Sequence, residues 1–311
     1  MALPARVVLV YRRSEYSELL ARHATYGQAE FFLRSRGRSI DEVFERHTRL
    51  EAVLHAVTSS LPDDVRRSSV ERSDLDRYLF APEDILMVVG QDGLVANVAK
   101  YLDGQPVIGV NPEPERNPGA LVPHQPGSAA AVLADLRMSR ATVEARTMVG
   151  ATLDDGQSLD ALNDLYIGDQ GHQSSRYTIT IPSVASERQS SSGIIVGTGT
   201  GSTGWSTSIA HDRALLEQLP DPTSANLIWF VREAWPSPFT ASSLTAGVLG
   251  PAGSLELLVE SDRLVVFGDG IERDYLTLSW GQRLVVAASG RVLNLVVSHE
   301  SSIVLADDVR S

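Results

Sequence analysis

Residues 84–102 read DILMVVGQDGLVANVAKYL. Asp84 to Gly90 is a continuous apolar run of strand length, and Leu94, Val95, Val98 and Leu102 then recur at helical spacing. A buried strand that enters a helix through the short polar turn GQDG (Gly90–Gly93) is half of a β/α unit. The neighbouring segments continue the rhythm. RVVLVY (residues 6–11) and QPVIGVN (105–111) read as strands, and residues 39–57 and 127–140 read as helices. In the first of these helices Ser39 and Glu42 are spaced as a capping box ahead of Ile40, Val43, Phe44, Leu50, Val53, Leu54 and Val57. Such alternation predicts a parallel sheet with ligands at the carboxyl ends of its strands.

From about residue 141 the pattern changes. ATVEARTMV, ALNDLYIG, YTITIP, GIIVG, LIWFVRE, SLELLVE, RLVVFGDG, DYLTLS, QRLVVAAS and VLNLVVS follow one another between short polar or glycine-containing turns. Many strands at this spacing predict a large, mainly antiparallel β domain. The expected architecture is therefore α/β plus β. Residues 1–140 would form the α/β domain and 141–311 the β-rich one, with a return of the last residues to the first domain left open. A cleft between two such halves is an expected ligand site.

Composition narrows the classes. With 311 residues, 43% hydrophobic and 21% charged, the chain can bury ample core, and two domains are expected rather than one. A net charge of −12 argues against nucleic acid as a main partner, because phosphate backbones demand basic patches. The absence of cysteine removes disulfides, thiolate nucleophiles and Cys-liganded metals, and the seven histidines never fall at zinc-site spacing. No metal ligand set is therefore assigned to the chain's own residues. No stretch approaches a membrane span, and the N-terminus MALPARVVLVYRR carries its charge after the apolar run, the reverse of a secretory signal, so a soluble, cytoplasmic protein is expected.

Four short motifs carry chemistry. In GQDG, Asp92 lies at a helix start, where a carboxylate can cap the helix, act as a base toward a hydroxyl or hold magnesium. Asn163 and Asp164 are adjacent polar residues in the strand-like ALNDLYIG, so one of them needs a buried partner unless the site is a bulge or an edge. GIIVGTGTGSTGWSTS (193–208) offers little side-chain bulk behind a buried strand. Its glycines would allow a close backbone approach and unusual dihedrals, as an anion-cradling loop requires, although a lone Gly/Ser loop is more often a plain turn. GDG (268–270), at a strand end, is by itself a tight turn.

Together and in this order, GxDG, GVN, ALND, TGTGST with a following aromatic, and a late strand ending in DG resemble the NAD kinase family. The likeness runs from about residue 85 to 290 and is nearest to the mitochondrial-type members, through PVIGVNPEPERNPGALVP, ALNDLYIGDQGHQSSRY and SSGIIVGTGTGSTGWS. The resemblance implies transfer of the γ-phosphoryl group of ATP, with Mg2+, to the adenosine-ribose 2′-hydroxyl of NAD(H), with Asp92 as the base. It further implies that Gly90 and Gly93 shape the phosphate loop and that Asn111 follows the next strand at the site. Asn163 and Asp164 would bind nicotinamide-side and ribose hydroxyls. Thr200, Gly201, Ser202 and Thr203 would form the glycine-rich loop, Trp205 would lie near the adenine, Ser208 near the nucleotide, and Asp269 would complete the nucleotide side. Family members are homodimers or homotetramers.

One departure stands out. Where the family has GGDGT, this chain has Gly90-Gln91-Asp92-Gly93-Leu94. If the missing glycine requires a positive φ, Gln91 costs about 1 kcal/mol or more. A non-catalytic NAD(P)-binding regulatory protein is thus a competing expectation. A lipid or other small-molecule kinase of the same superfamily is a third, and a Rossmann dehydrogenase fits poorly because Gly199, Gly201 and Gly204 lie in the β-rich half.

Overall fold

The computed structural model describes residues 5–271 and 274–297, which divide into two compact units. One unit comprises the described residues up to Tyr101, those from Gln105 to Glu144, and those from Asn294 on; the other comprises Leu102–Gly104 and Ala145–Leu293.

The first unit runs β1 (Arg6–Tyr11), α1 (Glu15–His23), α2 (Tyr26–Arg34), α3 (Ile40–Ser60), β2 (Arg66–Glu71), β3 (Ile85–Val89), α4 (Asp92–Ala99), β4 (Pro106–Val110) and α5 (Ala129–Arg137). Its strands pair in parallel in the order β2-β1-β3-β4. β3 is buried along its whole length, as a central parallel strand covered on both faces must be. Val7, Leu9, Met87, Val89, Ile108 and Val110 form a core with Val57 of α3 and Leu133 of α5. Leu19, Ala29, Leu33, Ile40 and Val43 form a smaller cluster between α1, α2 and α3. Ser39 caps α3 by accepting the Asp41 N–H at 3.1 Å, one residue short of the capping-box partner that the sequence suggests.

The second unit contains most of β5 (Thr142–Leu153), β6 (Ser158–Ala161), β7 (Asp164–Gly168), β8 (Ser175–Ile181), β9 (Ala185–Ser191), β10 (Ile194–Gly197), α6 (Trp205–Asp212), β11 (Leu227–Val231), β12 (Ala246–Leu249), β13 (Ser254–Val259), β14 (Arg263–Gly268), β15 (Tyr275–Ser279) and most of β16 (Arg283–Val297). One antiparallel sheet has the order β12-β11-β10-β7-β14-β15. The other pairs β16 with β13, β13 with β8, and β8 with β9. Inner faces of both sheets share one core that holds Leu165, Tyr177, Val196, Trp229, Leu257, Val266 and Leu284. The fold class is the expected one, a parallel α/β region followed by a mainly antiparallel β region.

Two local readings change. Residues 283–297, read as two strands, form the single strand β16, whose Asn294 and Leu295 pair in parallel with Pro106 and Val107 of β4. Residues 298–311, with the end of the segment VLNLVVS, lie outside the described residues. Asn163 is not inside a strand: β6 ends at Ala161 and β7 begins at Asp164, so Leu162 and Asn163 form a bend between them. Finally, no helix among the described residues is long and apolar enough to cross a membrane.

Gly109 of β4 marks where a loop seals onto this sheet. A Cβ there would stand 2.0 Å from the Leu121 carbonyl oxygen, whereas nothing lies within 4 Å of one on Gly127. Gly109→Ala is therefore expected to lower stability by about 1–3 kcal/mol, and Gly127→Ala to change it by less than about 1 kcal/mol, as read from paired urea melts.

Candidate functional site

In the first unit the site grows from the carboxyl end of β3. Gly90 follows the strand and donates its N–H to the Val110 carbonyl at 3.1 Å, tying the turn to β4. Gln91 has φ −96° and ψ 167°, ordinary extended backbone, and its side chain is exposed. The strain expected at this position is absent, because the turn never enters the left-handed region. Leu94 is also accounted for. It is buried one turn into α4, its Cδ2 only 2.8 Å from where a Cβ on Gly90 would be, so it packs the turn from below.

Asp92 is the first residue of α4 and does not cap it. Its carboxylate instead reaches the loop after β4, where Oδ2 accepts the Ala120 N–H at 3.0 Å and Oδ1 accepts the Leu121 N–H at 2.9 Å. Asn111 starts that loop and also points inward: Nδ2 donates to the Asn117 carbonyl at 2.6 Å and Oδ1 accepts the Glu113 N–H at 3.0 Å. A pocket of about 230 Å³ opens here, lined by Gln91–Gly93, Asn111 and Asn117–Gly119 among others. Buried His124 closes the loop with a hydrogen bond to the Val296 carbonyl at 2.8 Å, and burial holds its pKa below the ordinary value.

The second unit assembles the other motifs around Asn163. Asp269 lies in a left-handed turn at φ 54°, followed by Gly270 at φ 68°. From that turn its carboxylate accepts two consecutive N–H groups, those of Leu162 at 3.0 Å and Asn163 at 2.7 Å. The neighbouring Asp164, which starts β7, has no hydrogen-bond partner for its carboxylate among the described residues. Burial pushes both carboxyls up to about 6; at Asp269 the amide hydrogen bonds oppose the shift and the Asp164 charge adds to it.

The glycine-rich loop packs on the other side of the same bend. A Cβ on Gly201 would fall 2.1 Å from the Asn163 carbonyl oxygen, and one on Gly199 would fall 1.8 Å from that of Asp221. Among the described residues none of Gly197, Gly199, Gly201 and Gly204 has a positive φ; the first three serve close approach, whereas Gly204, at φ −109° and ψ −124°, supplies an unusual dihedral pair ahead of α6. Thr198, which the sequence did not single out, is the keystone. Its N–H donates to the Asn163 carbonyl at 2.9 Å, its hydroxyl donates to the Leu162 carbonyl at 2.5 Å, and the same hydroxyl accepts the Gly201 N–H at 3.2 Å.

The hydroxyls of Thr200 and Ser202 also turn into the chain, toward the carbonyls of Pro222 (3.5 Å) and Thr198 (3.2 Å). Thr203 and Ser208 are exposed. Trp205, 38% exposed, stacks on Tyr166 with centroids 6.2 Å apart and planes at 14°, and the Arg232 guanidinium lies 5.2 Å from its ring centre. Tyr166 and Arg232 carry no motif signal of their own. Only the register that sets Tyr166 beside Ile195 and Phe267 brings them here.

Comparison with known proteins follows this geometry. No family model matches the chain. It is 27% identical over 256 residues to the rat (Rattus norvegicus) protein "NAD kinase 2, mitochondrial", a match that covers 66% of this chain and 60% of the relative. The yeast NADH kinase solved with NADH superposes with a TM-score of 0.61 at 15% identity, covering 98% of this chain and 86% of that one. An NAD kinase from Archaeoglobus fulgidus solved with ATP gives 0.59 at 16%, covering 95% and 94%. The chain resembles the NAD kinases in sequence and shares their fold. It spans about half to three-fifths of the length of the first curated relatives that it matches.

The unpartnered carboxylate gives a pH test. A folded-state pKa above the unfolded value means that the native state holds the extra proton, so stability falls as pH rises from about 4 through about 6 and is flat above. Asp164→Asn should therefore stabilise the protein at pH 7.5, by on the order of 2 kcal/mol, and leave it nearly unchanged at pH 4. Thermal melts at the two pH values check this.

Proposed function

We propose that the protein is an NAD kinase, which transfers the γ-phosphoryl group of ATP to the 2′-hydroxyl of the adenosine ribose of NAD or NADH. The observation that carries the reading is Asp92: a carboxylate at the carboxyl end of a parallel strand, oriented by two backbone amides and lining a pocket, in a chain with the fold and motif order of the NAD kinases. The hydroxyl oxygen attacks the γ-phosphorus, its proton passes to Asp92, and the bond to the bridging oxygen of ADP breaks. Such a transfer needs positioning and charge neutralisation more than covalent chemistry.

Gly90 leaves room for Leu94 against the turn, and Gly93, with open space at its Cβ position, would let a phosphate approach the backbone beside that carboxylate. In the second unit, the bend at Asn163 and Asp164, held by Asp269 and Thr198, presents polar groups suited to ribose and amide recognition. Thr203, Trp205 and Ser208 are the exposed members of the loop and would meet the nucleotide, while Thr200, Gly201 and Ser202 set its shape.

Magnesium would enter with ATP. No group of three or more His, Asp and Glu side chains that could cage a metal ion occurs among the described residues. The donor set fits an ion held mainly by phosphate oxygens and water with one carboxylate, which suits Mg2+. Assembly of copies into a homodimer or homotetramer belongs to the same reading and is supported by the resemblance to the family. The backbone strain that would favour a non-catalytic dinucleotide-binding protein is absent at Gln91, and Leu94 serves as a packing residue.

Purified protein given NAD, ATP and magnesium is expected to form NADP, measured by an NADP-specific dehydrogenase cycle. Asp92→Asn should lower kcat by about 100-fold or more, and Gly201→Ala should raise KM for NAD, since its methyl displaces the Asn163 carbonyl. NADP formation that survives Asp92→Asn unchanged would remove the role assigned to this residue.

A further inference from the structure

Nothing in the catalytic reading explains why the loop after β4 should be so tightly built. Both of its ends are stitched to β4: the His124 N–H donates to the Gly109 carbonyl at 3.1 Å and the Asn111 N–H donates to the His124 carbonyl at 2.8 Å. Across its middle, Asn111 ties itself to the Asn117 carbonyl. Where the loop passes Asp92 it narrows to Gly119. A Cβ there would lie 2.2 Å from Val122 Cγ2, 3.0 Å from Asp92 Oδ1 and 3.5 Å from Asn111 Nδ2. The next two residues, Ala120 and Leu121, are those whose amides hold the Asp92 carboxylate.

We propose that this loop, residues 111–124, is a rigid cradle whose backbone positions the Asp92 carboxylate, and that Gly119 and Asn111 are its positioning residues. The inference rests on the role given to Asp92 above. Two hydrogen bonds to consecutive amides fix a carboxylate in both distance and plane, leaving its remaining lone pairs to meet a hydroxyl from one direction. Gly119 is needed because the loop lies in contact with the carboxylate, so any side chain pushes apart the two amides or the two oxygens. The role of Asn111 follows from the same geometry: its amide holds the loop from both ends, through the Asn117 carbonyl and the Glu113 N–H.

A misplacement on the ångström scale costs up to about 100-fold in rate while leaving remote binding contacts intact. Gly119→Ala is therefore expected to lower kcat by about 10- to 100-fold, with KM for NAD and for ATP within about twofold and an unchanged calorimetric stoichiometry for NAD. Val122→Ala removes the atom that the new methyl strikes first, so Gly119→Ala/Val122→Ala should recover most of the loss; a merely destabilised fold would be weakened further by the second truncation. A folded Gly119→Ala with kcat within about twofold of the parent overturns the proposal, and so does a double variant no faster than the single one. If Gly119→Ala does not fold, Asn111→Ala serves in its place, with the same fall in kcat expected and an unchanged kcat decisive against the cradle.

Amide hydrogen exchange separates this inference from the functional reading. Ala120 and Leu121 should be protected in the parent protein and exchange at least about tenfold faster in Asp92→Ala. Equal protection in both overturns the cradle, whatever the protein phosphorylates. A parent that forms no NADP but shows this protection would instead overturn the kinase reading and leave the cradle standing.

Discussion

A carboxylate that accepts two consecutive backbone amides is the contact on which both units depend. Asp92 does this to Ala120 and Leu121 in the first unit, and Asp269 does it to Leu162 and Asn163 in the second. Hydrogen bonds to a charged acceptor contribute about 1.5–3 kcal/mol each, roughly twice a neutral pair. Each pair, at about 3–6 kcal/mol, is of the same order as the entropy of ordering the two or three residues it fixes, at about 1–2 kcal/mol per residue. In both cases the fixed segment is a loop or bend with no regular ladder of its own, and in both it adjoins residues assigned to the site.

The glycines follow from these contacts. A bend held this closely leaves no volume for side chains on the segment packed against it, which is why Gly201 faces the Asn163 carbonyl and Gly119 faces Asp92. Flexibility is not their purpose. The glycine-rich loop is buried through Gly197–Ser202 and cross-tied by Thr198, and becomes exposed only at Thr203–Trp205. The turn that holds the Asn163 bend does use the left-handed region, at residues 269 and 270, with an aspartate followed by a glycine. Asp269 accepts that unfavourable backbone because its carboxylate is aimed by it.

The sequence makes the β/α rhythm legible because β1, β3 and β4 are continuous apolar runs, and a buried parallel strand must be one. It hides β2. RRSSVE lies at the edge of the sheet, with exposed arginines and burial only at Val70 and Glu71, so neither alternation nor an apolar run marks it. α1 and α2 escape notice for a similar reason: they bury one and two residues apiece, against each other and α3, which leaves no long periodic stripe. In β16 the triplet Ser289-Gly290-Arg291 mimics a turn, but pairing with β13 before it and with β4 after it keeps the strand continuous. The motifs named most of the residues that meet at the two half-sites. They did not reveal which side chains face inward, because the partners of Asp92 and Asp269 lie 28 and 107 residues away and no local pattern encodes them.

The same geometry bears on how an acidic chain would meet the polyphosphate of the proposed reaction. With a net charge of −12 the protein as a whole does not attract anions, and its glycine-rich loop contains no lysine or arginine. Backbone N–H groups are donors that add no charge, but in the glycine-rich loop those of Thr198, Gly201, Ser202 and Gly204 are taken by acceptors within the chain, so what the loop offers is a rigid surface with little side-chain bulk. Rigidity is what the carboxylate pairs and the close glycine contacts supply. On this account the departure from the family's loop is tolerable, since Gln91 contributes an extended backbone that many residues could adopt and Leu94 contributes core packing. What cannot vary are the atoms that hold the main chain still: the carboxylates of Asp92 and Asp269, the hydroxyl of Thr198, and the hydrogens that stand for side chains at Gly119 and Gly201.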